Sequence, residues 1–442
     1  MLAVNRVVSF ADAFRFWLKL GLISFGGPAG QIAIMHQELV QKRRWISEAR
    51  FLHALNYCMV LPGPEAQQLA TYIGWLLHRT RGGLTAGLLF ILPAFLILIA
   101  LSYLYVEYGG IPAVDAFFYG IKPAVVAIVA FAAWRIGRRV IHNLVLFGIA
   151  VAAFLALAMF AIPFPLVVLG AALTGWLGAR IAPATFDFGA HGAVATSPAS
   201  AVIDDHTPSP PHAAISWRRT MLVLSAGIAL WLAAMASLVA FQGMSGTLPK
   251  MAVFFSKAAL VTFGGAYAVL PYVNQGAVEQ YGWLTASQMI DGLALGETTP
   301  GPLIMVVTFV GYVGGWTHAA AQGLSPAVAG CLGALVVTFF TFLPSFVFIF
   351  AGAPLVEATR GLRQFTAPLT AVTAAVTGVI VNLALFFATH VFFPSGLRAS
   401  PDLAGVSIAV IAAIALFRFK LGVIPVILAA GALGVLIRLS AG

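Results

Sequence analysis

The stretch Leu61-Pro62-Gly63-Pro64-Glu65 interrupts an otherwise apolar, helix-forming region of the chain. Each proline lacks an N–H and disfavours helical geometry in the residue before it, while glycine adopts backbone angles that other residues avoid. We therefore expect one helix to end near Leu61 and another to begin with Pro64 as its first residue. In a membrane, such a break is tolerated only where protein buries it or where it lines a water-filled cavity.

The break has two interpretations, and a second copy of the motif favours one of them. A helix N-terminus presents free N–H groups and a partial positive charge, which suit an anion. A simple proline kink is the alternative, since proline is frequent in transmembrane helices. The second copy is Thr299-Pro300-Gly301-Pro302. Two such breaks in one chain indicate a substrate site rather than an isolated kink.

The composition is that of an all-α polytopic membrane protein. Of the 442 residues, 61% are hydrophobic and only 9% are charged, whereas soluble domains carry about 25% charged residues. Runs such as 84–106, 112–134 and 328–351 are each long enough to cross the roughly 30 Å of hydrocarbon as a helix. The chain is therefore expected to cross the lipid bilayer several times.

Several functional classes are disfavoured by the same composition. The net charge of +10 comes from short loops between apolar runs, which is how membrane topology is set and not how nucleic acid is bound. Cys58 and Cys331 both lie in apolar segments, so neither a disulfide framework nor a zinc site is expected. The histidines lack metal-ligand spacing, and no phosphate-binding loop or nucleophile elbow occurs. We predict no cofactor, no metal and no enzymatic activity.

The chain aligns with itself at a shift of 238 residues, so that residue 63 meets residue 301. The matched residues are Phe16, Lys19, Leu22, Phe25, Gly26, Gly27 and Trp45 with Phe254, Lys257, Leu260, Phe263, Gly264, Gly265 and Trp283. Further along, Leu92-Pro93-Ala94-Phe95 parallels Leu343-Pro344-Ser345-Phe346. The predicted units are a first repeat at 1–183, a flexible polar linker at 184–215, a linking transmembrane helix at 216–245 and a second repeat at 246–442.

The distribution of basic residues predicts that the two repeats are inverted. Three basic loops, around 42–44, 79–81 and 135–139, together with Arg360–Arg363 and Arg418–Lys420, are expected in the cytoplasm with the N-terminus and linker. Segments of about 13 to 16 residues beside the breaks are too short to span, so each repeat should contain two re-entrant or broken hairpins. About four full spans then follow, at 84–106, 112–134, 141–162 and 164–182 in the first repeat. The linking helix makes the number of crossings odd, which inverts the second repeat.

Four breaks are expected to converge near the bilayer midplane as a substrate site: the two Pro-Gly-Pro stretches and the glycine pairs Gly26-Gly27 and Gly264-Gly265. Inverted repeats with interrupted helices point to a secondary transporter with its site at this depth. The glycine pairs could instead serve close helix packing. The predicted substrate-binding residues are Gly26, Gly27, Pro28, Pro62, Gly63, Pro64, Gln67, Gly264, Gly265, Pro300, Gly301, Pro302, Lys19 and Lys257.

Two acids and two lysines have competing interpretations. Glu65 and Glu297 flank the breaks, and a desolvated carboxylate binds a proton more readily, so both are candidates for proton coupling. Glu65 could instead only stabilise the first turn of its helix. Lys19 and Lys257 occupy the same repeat position and could meet the anion or these acids, or could extend to the membrane interface.

The motifs resemble those of the chromate ion transporter family. Phe25-Gly26-Gly27-Pro28 followed by Trp45 and Pro62-Gly63-Pro64, and Phe263-Gly264-Gly265 followed by Gly301 and Pro302, carry the resemblance. It implies two homologous domains of opposite orientation and export of chromate from the bacterial cytoplasm, with sulfate as an analogue. Two positions depart from symmetry, because Ala266 stands opposite Pro28 and Leu303 stands opposite Glu65.

The sequence predicts an inner-membrane secondary transporter in which one half rocks against the other, and the resemblance implies that it exports chromate and confers chromate resistance. A sulfate or other oxyanion carrier of the same architecture, a passive anion channel and a membrane chromate reductase are the alternatives. The last is disfavoured because no recognisable flavin, haem or nicotinamide motif is present. A homodimer is left open as the assembly.

Overall fold

The computed structural model describes residues 8–25, 27–160, 162–182, 185–186, 201–204, 207, 210–263, 266–358 and 366–441. Within these ranges the chain is helical and has no strand, apart from one isolated bridge between Ile46 and Ile203. Seven of the described helices are long and apolar enough to cross a membrane, and three shorter ones are also apolar. A polytopic helical membrane protein is thus confirmed.

Seven helices precede the linker. They are α1 (Phe10–Ile23), α2 (Gly27–His36), α3 (Glu48–Val60), α4 (Glu65–Tyr108), α5 (Pro112–Val140), α6 (Leu144–Ala158) and α7 (Phe164–Ile181). A π-helical turn, Gln37–Lys42, extends α2.

Ten helices follow the linker. They are α8 (Trp217–Gln242), α9 (Thr247–Val261), α10 (Ala266–Asn274), α11 (Ala286–Thr298), α12 (Val306–Thr317), α13 (Ala319–Gln322), α14 (Pro326–Ala358), α15 (Thr366–Phe392), α16 (Leu403–Phe417) and α17 (Val423–Ala441). A π-helical turn, Gln275–Gln280, follows α10, and a 3₁₀ turn, Leu303–Met305, precedes α12. The expected linking helix is α8.

Local sequence sets matching helix boundaries in the two repeats. At the shift of 238 residues, α3 coincides with α11 at both ends, and the two π-helical turns coincide as well. The equivalent residues Ser47 and Thr285 cap α3 and α11, since their side chains accept the N–H groups of Arg50 and Gln288. Short side-chain oxygens at this position satisfy N–H groups that lack a helical acceptor.

Helix α4 is a hairpin of two antiparallel arms. His78 (φ −134°, ψ 31°) and Arg79 (φ 58°, ψ −154°) leave helical geometry and reverse the chain. Gly74 and Gly82 then pack together so closely that a Cβ on Gly74 would lie 2.4 Å from the Gly82 carbonyl oxygen. The arm before the turn completes the predicted broken hairpin with α3, and the arm after it contains the predicted span at 84–106.

Two boundaries differ from the sequence predictions. Pro64 precedes α4 in an extended conformation, so that Glu65 is the first helical residue. The span expected at 141–162 is the 15-residue helix α6, about 22 Å long, because Asn143 caps its start and Pro163 follows its end. The segment Arg360–Arg363 lies outside the described residues.

The helices of the two repeats interleave. Helix α5 of the first repeat packs on α16 and α17 of the second, and α15 of the second packs on α6 and α7 of the first. Small residues permit these approaches, since a Cβ on Gly120 would lie 2.0 Å from the Ala430 carbonyl oxygen and one on Gly378 would lie 1.9 Å from that of Ala150. The sequence repeats are therefore not separate packing units.

Part of the segment expected to be the linker, at 184–215, is docked on the first repeat. Val202 donates its N–H to Arg44 and Ile203 donates to Trp45, at 2.9 and 3.0 Å between N and O. Ile203 and Ala213 are buried. Apolar side chains within a polar stretch supply the contacts that composition alone did not reveal.

Candidate functional site

The two Pro-Gly-Pro breaks cross the ends of helices from the opposite repeat. Gly63 donates its N–H to the carbonyl of Thr262 at 2.8 Å, and Gly301 donates its N–H to that of Ser24 at 2.7 Å. Gly63 is equivalent to Gly301 and Ser24 to Thr262, so the two hydrogen bonds are reciprocal. Reciprocal contacts are the mark of a two-fold relation. These four positions, Ser24, Gly63, Thr262 and Gly301, are here named the crossing. Convergence of all four predicted breaks in one substrate site stays a prediction.

The crossing requires glycine at two positions. Gly63 has φ +125° and Gly301 has φ +113°, values that side-chain-bearing residues rarely adopt. Space is also short, because a Cβ on Gly301 would lie 2.6 Å from the Ala94 Cβ, and one on Gly63 would lie 3.4 Å from that of Ser345. Ala94 and Ser345 follow the equivalent prolines inside α4 and α14, so these helices also reach the crossing.

Polar side chains gather on the first-repeat side of the crossing. Gln68 Nε2 donates to the Pro62 carbonyl at 2.8 Å. Ser345 Oγ donates to Gln67 Oε1 at 2.6 Å, and Gln67 Nε2 donates to Thr71 Oγ1 at 3.0 Å. The equivalent positions on the other side hold the apolar residues Ala94, Met305, Val306 and Phe309. The backbone of the crossing is pseudo-symmetric, but its polar side chains lie on the first-repeat side and the equivalent side chains are apolar.

Three buried polar atoms at the crossing lack a partner. Gln31 Nε2 donates to the Gly301 carbonyl at 2.5 Å, while its Oε1 makes no hydrogen bond. Ser24 Oγ and Gln68 Oε1 are likewise unpartnered and fully buried. Sequence reasoning missed Ser24, Gln31 and Ser345; the available signal was a polar residue within an apolar run close to a break.

The N–H groups available to an anion differ from those expected. The N–H groups of Gly63 and Gly301 bond to carbonyls across the crossing, and the prolines have none. At the start of α4 the N–H of Gln68 reaches the Pro64 carbonyl, so the preceding three residues lack a helical acceptor. The donors are therefore those of Glu65, Ala66 and Gln67.

The two candidate acids lie in different surroundings. Glu297 lies in the last turn of α11, just before the second break, and accepts a hydrogen bond from the Tyr267 hydroxyl. Glu65 is the first residue of α4. Their role in proton coupling stays a prediction.

The two lysines are exposed on α1 and α9 and do not join the buried polar cluster at the crossing. Lys42, whose Nζ lies 2.7 Å from Glu38 Oε1, lowers the pKa of Glu38, and Arg43 and Lys19 add to this effect. The charge of Lys19 thus acts on the π-helical turn. Contact of Lys19 or Lys257 with an anion stays a prediction.

The glycine pairs are described only in part. Gly27 begins α2 with φ +69°, which suits glycine, and Pro28 lies in the first turn, where a missing N–H is tolerated. Gly26, Gly264 and Gly265 lie outside the described residues.

Removing the Ser345 hydroxyl is expected to weaken substrate affinity. Ser345→Ala leaves the buried Gln67 Oε1 without its donor, which costs about 1–3 kcal/mol. We expect about a tenfold higher KM for the transported anion, since 1.4 kcal/mol corresponds to a factor of ten. The measurement is initial uptake rate against anion concentration.

Ser102→Ala is the matched control, because the Ser102 hydroxyl is also buried in α4 but bonds only its own helix at Leu98. A KM equal to the parent's in Ser345→Ala would place the substrate away from Gln67.

An apolar bundle with paired broken helices and a buried polar crossing defines a membrane protein of the solute-transporting class. Comparison with known proteins identifies the family: the model described as Chromate transporter matches residues 11–176 and 249–435. The chain belongs to the chromate transporter family.

Relatives with assigned names align with most or nearly all of the chain. A chromate transport protein of Pseudomonas aeruginosa is 36% identical over 98% of this chain and 94% of its own length. One from Cupriavidus metallidurans is 30% identical, covering 95% and 90%. A probable chromate transport protein of Synechococcus elongatus is 28% identical, covering 86% and 85%. No solved structure matches the chain.

Proposed function

We propose that this protein is a secondary active transporter that exports chromate across the bacterial plasma membrane and thereby confers chromate resistance. The observation that carries the proposal is the reciprocal crossing of the two breaks, with its polar side next to free helix N–H groups. Two relatives are named chromate transport proteins, and each aligns with this chain over at least 90% of the relative's own length. A tetrahedral oxyanion accepts hydrogen bonds on every side, which suits convergent N–H, hydroxyl and amide donors.

The inverted arrangement is supported by the positions of equivalent residues. Trp45 lies beside the docked linker, whereas a Cβ on Gly314 would lie 2.9 Å from the Trp283 Cβ. The arm of α4 from residue 80 to Tyr108 begins at the end of the molecule where the linker docks and finishes at the end where Gly314 lies. At 1.5 Å per residue this arm is about 43 Å long. Trp45 and its equivalent Trp283 thus lie near opposite ends, as inverted repeats require.

Transport direction follows from charge. Export of a divalent anion is favoured by an inside-negative potential, by about 2.3 kcal/mol per charge per 100 mV. The anion would bind at the start of α4, held by the N–H groups of Glu65, Ala66 and Gln67. Lys42, at the end of the π-helical turn, and Arg43, which follows it, would raise the local anion concentration on the cytoplasmic side.

The interleaved packing changes the proposed motion. Rocking of one complete repeat against the other would break the contacts of α5 with α16 and α17 and of α15 with α6 and α7. Movement of the short hairpins at the crossing would exchange the hydrogen bonds of Gly63 and Gly301 and leave these four packed contacts in place. We assign alternating access to these hairpins.

Everted membrane vesicles test the proposal. We expect energy-dependent accumulation of radiolabelled chromate, blocked by an uncoupler and inhibited by excess sulfate if both anions share the site. Uptake that never exceeds the external concentration would indicate the passive channel instead. Uptake of sulfate without chromate would favour the sulfate carrier, and loss of Cr(VI) in the presence of purified protein would indicate a reductase.

A further inference from the structure

A polar cavity of about 390 Å³ lies at the end of the molecule opposite the docked linker. Gly109 and Gly110 between α4 and α5 border it, and Trp316 and Thr317 at the end of α12 form another wall. Three titratable side chains from α5 and α11 line it, namely Asp115, Lys122 and Asp291. The cavity is separate from the crossing and plays no part in the anion site described above.

Asp291 is a buried carboxylate with only half of its hydrogen-bonding capacity used. Its side chain is 2% exposed. Oδ2 accepts the Tyr105 hydroxyl at 2.9 Å, while Oδ1 has no partner. An ionised carboxylate left partly unsatisfied in the protein interior is costly, and binding a proton removes that cost.

Lys122 is a loose counter-ion for Asp291. Its Nζ lies 3.6 Å from Asp291 Oδ2, longer than the 2.7–2.9 Å typical of a charge-assisted hydrogen bond. The Lys122 side chain is 23% exposed, so it reaches water in the cavity. Lys122 can therefore leave Asp291 when the carboxylate is neutral and return when it is ionised.

The surroundings of Asp291 contain few other charges. Tyr105 comes from α4, and Lys122 and Asp115 come from α5; these are the titratable groups that interact with Asp291. The residues of α12 that border the cavity, Val313, Trp316 and Thr317, are uncharged.

Helix α11 connects this group with the crossing. Asp291 precedes Glu297 by six residues on α11, about 9 Å along the axis, and the break at Pro300-Gly301-Pro302 follows. In the first repeat His53 occupies the equivalent position and bonds the Val356 carbonyl at 2.7 Å. At this pair of equivalent positions, the second repeat has a carboxylate facing a cavity and the first repeat has a histidine.

We propose that Asp291 is the group at which the coupling proton enters from the cavity, with Lys122 as its exchangeable counter-ion. Protonation of the carboxylate releases Lys122 and lets α11 shift, which is transmitted along the helix to the second break. This inference rests on the proposed active export and identifies its coupling site. An ionisable group at membrane depth with access to water is suited to such a role.

Proteoliposomes containing the purified protein and a lumenal pH dye test the assignment. In the parent protein we expect chromate moving down its gradient to change the lumenal pH. Asp291→Asn should abolish this pH change while chromate–chromate exchange continues. Glu107→Gln is the control, since Glu107 is exposed at the same end of α4 and does not border the cavity; it should behave as the parent.

Two further variants keep the test decisive if Asp291→Asn fails to fold. Lys122→Gln and Tyr105→Phe each remove one partner of Asp291 and should lower the number of protons moved per chromate. A parental proton-to-chromate ratio in a folded Asp291→Asn protein, or transport driven by a sodium gradient and indifferent to protons, overturns the assignment. Absence of chromate exchange in the parent protein would instead refute the proposed function.

Discussion

Gly63→Ala and Gly301→Ala are each expected to abolish chromate transport while the protein remains in the membrane. Alanine is strained at the positive φ of both residues, by about 1–3 kcal/mol. Its Cβ also collides with Gln68 Nε2 at position 63 and with Ala94 at position 301. The backbone must move, and the N–H bonds to Thr262 and Ser24 are lost with it.

The measurement is chromate uptake in everted vesicles, normalised to the amount of protein. Gly148→Ala is the control, because Gly148 lies on an exposed face of α6 and a Cβ there meets nothing within 4 Å. Normal transport by both crossing variants would mean that the reciprocal hydrogen bonds are dispensable, and the site assignment would be wrong.

Gly74→Leu is expected to lower the yield of folded protein more than any other single change considered above. A Cβ at this position would lie 2.4 Å from the Gly82 carbonyl oxygen and 2.6 Å from the Ala86 Cβ. The arms of α4 would have to separate, and overpacking of this kind costs at least about 1–3 kcal/mol. The readout is the monodisperse fraction in detergent and its Tm.

Gly148→Leu makes the same chemical change on the exposed face of α6 and should leave both quantities close to those of the parent. Equal Tm values for the two variants would show that the arms of α4 are not held together by the close approach of Gly74 and Gly82.

Much of the scaffold could be predicted from sequence because its determinants are local. Proline and glycine interrupt the helices at 61–64 and 299–302 without help from distant residues. Ser47 and Thr285 cap the helices that lead into these breaks. The repeat shift of 238 residues survives in the structure as matching helix boundaries. Apolar run lengths identified the spanning helices, although they overestimated the length of α6.

The partners of the crossing could not be predicted, because they depend on contacts between distant segments. Ser345 lies 278 positions from Gln67, and no local pattern indicates that they meet. The reversal at His78–Arg79 was missed for a different reason: it contains neither proline nor glycine, and Arg79 adopts a positive φ that a basic residue rarely takes. The docking of Ile203 likewise depends on a distant surface.

The chemical asymmetry between the repeats could be predicted in part from the sequence, and the structure shows that it involves more residues. Leu303 opposite Glu65 already indicated unequal half-sites. The structure adds that Gln67, Gln68 and Ser345 all lie on one side. We expect variants of these residues to affect substrate affinity and variants of their apolar equivalents to affect mainly packing.

The interleaving of α5 and α15 has a consequence for how the chain is made. Helix α5 enters the membrane long before the ribosome has produced α16 and α17, the helices against which it finally packs. Until then its glycine-containing face, with Gly120, has only lipid for a neighbour. The first repeat must therefore wait, inserted but incompletely folded, for α16 and α17. Synthesis of α16 and α17 is thus the step that lets α5 reach its final packing.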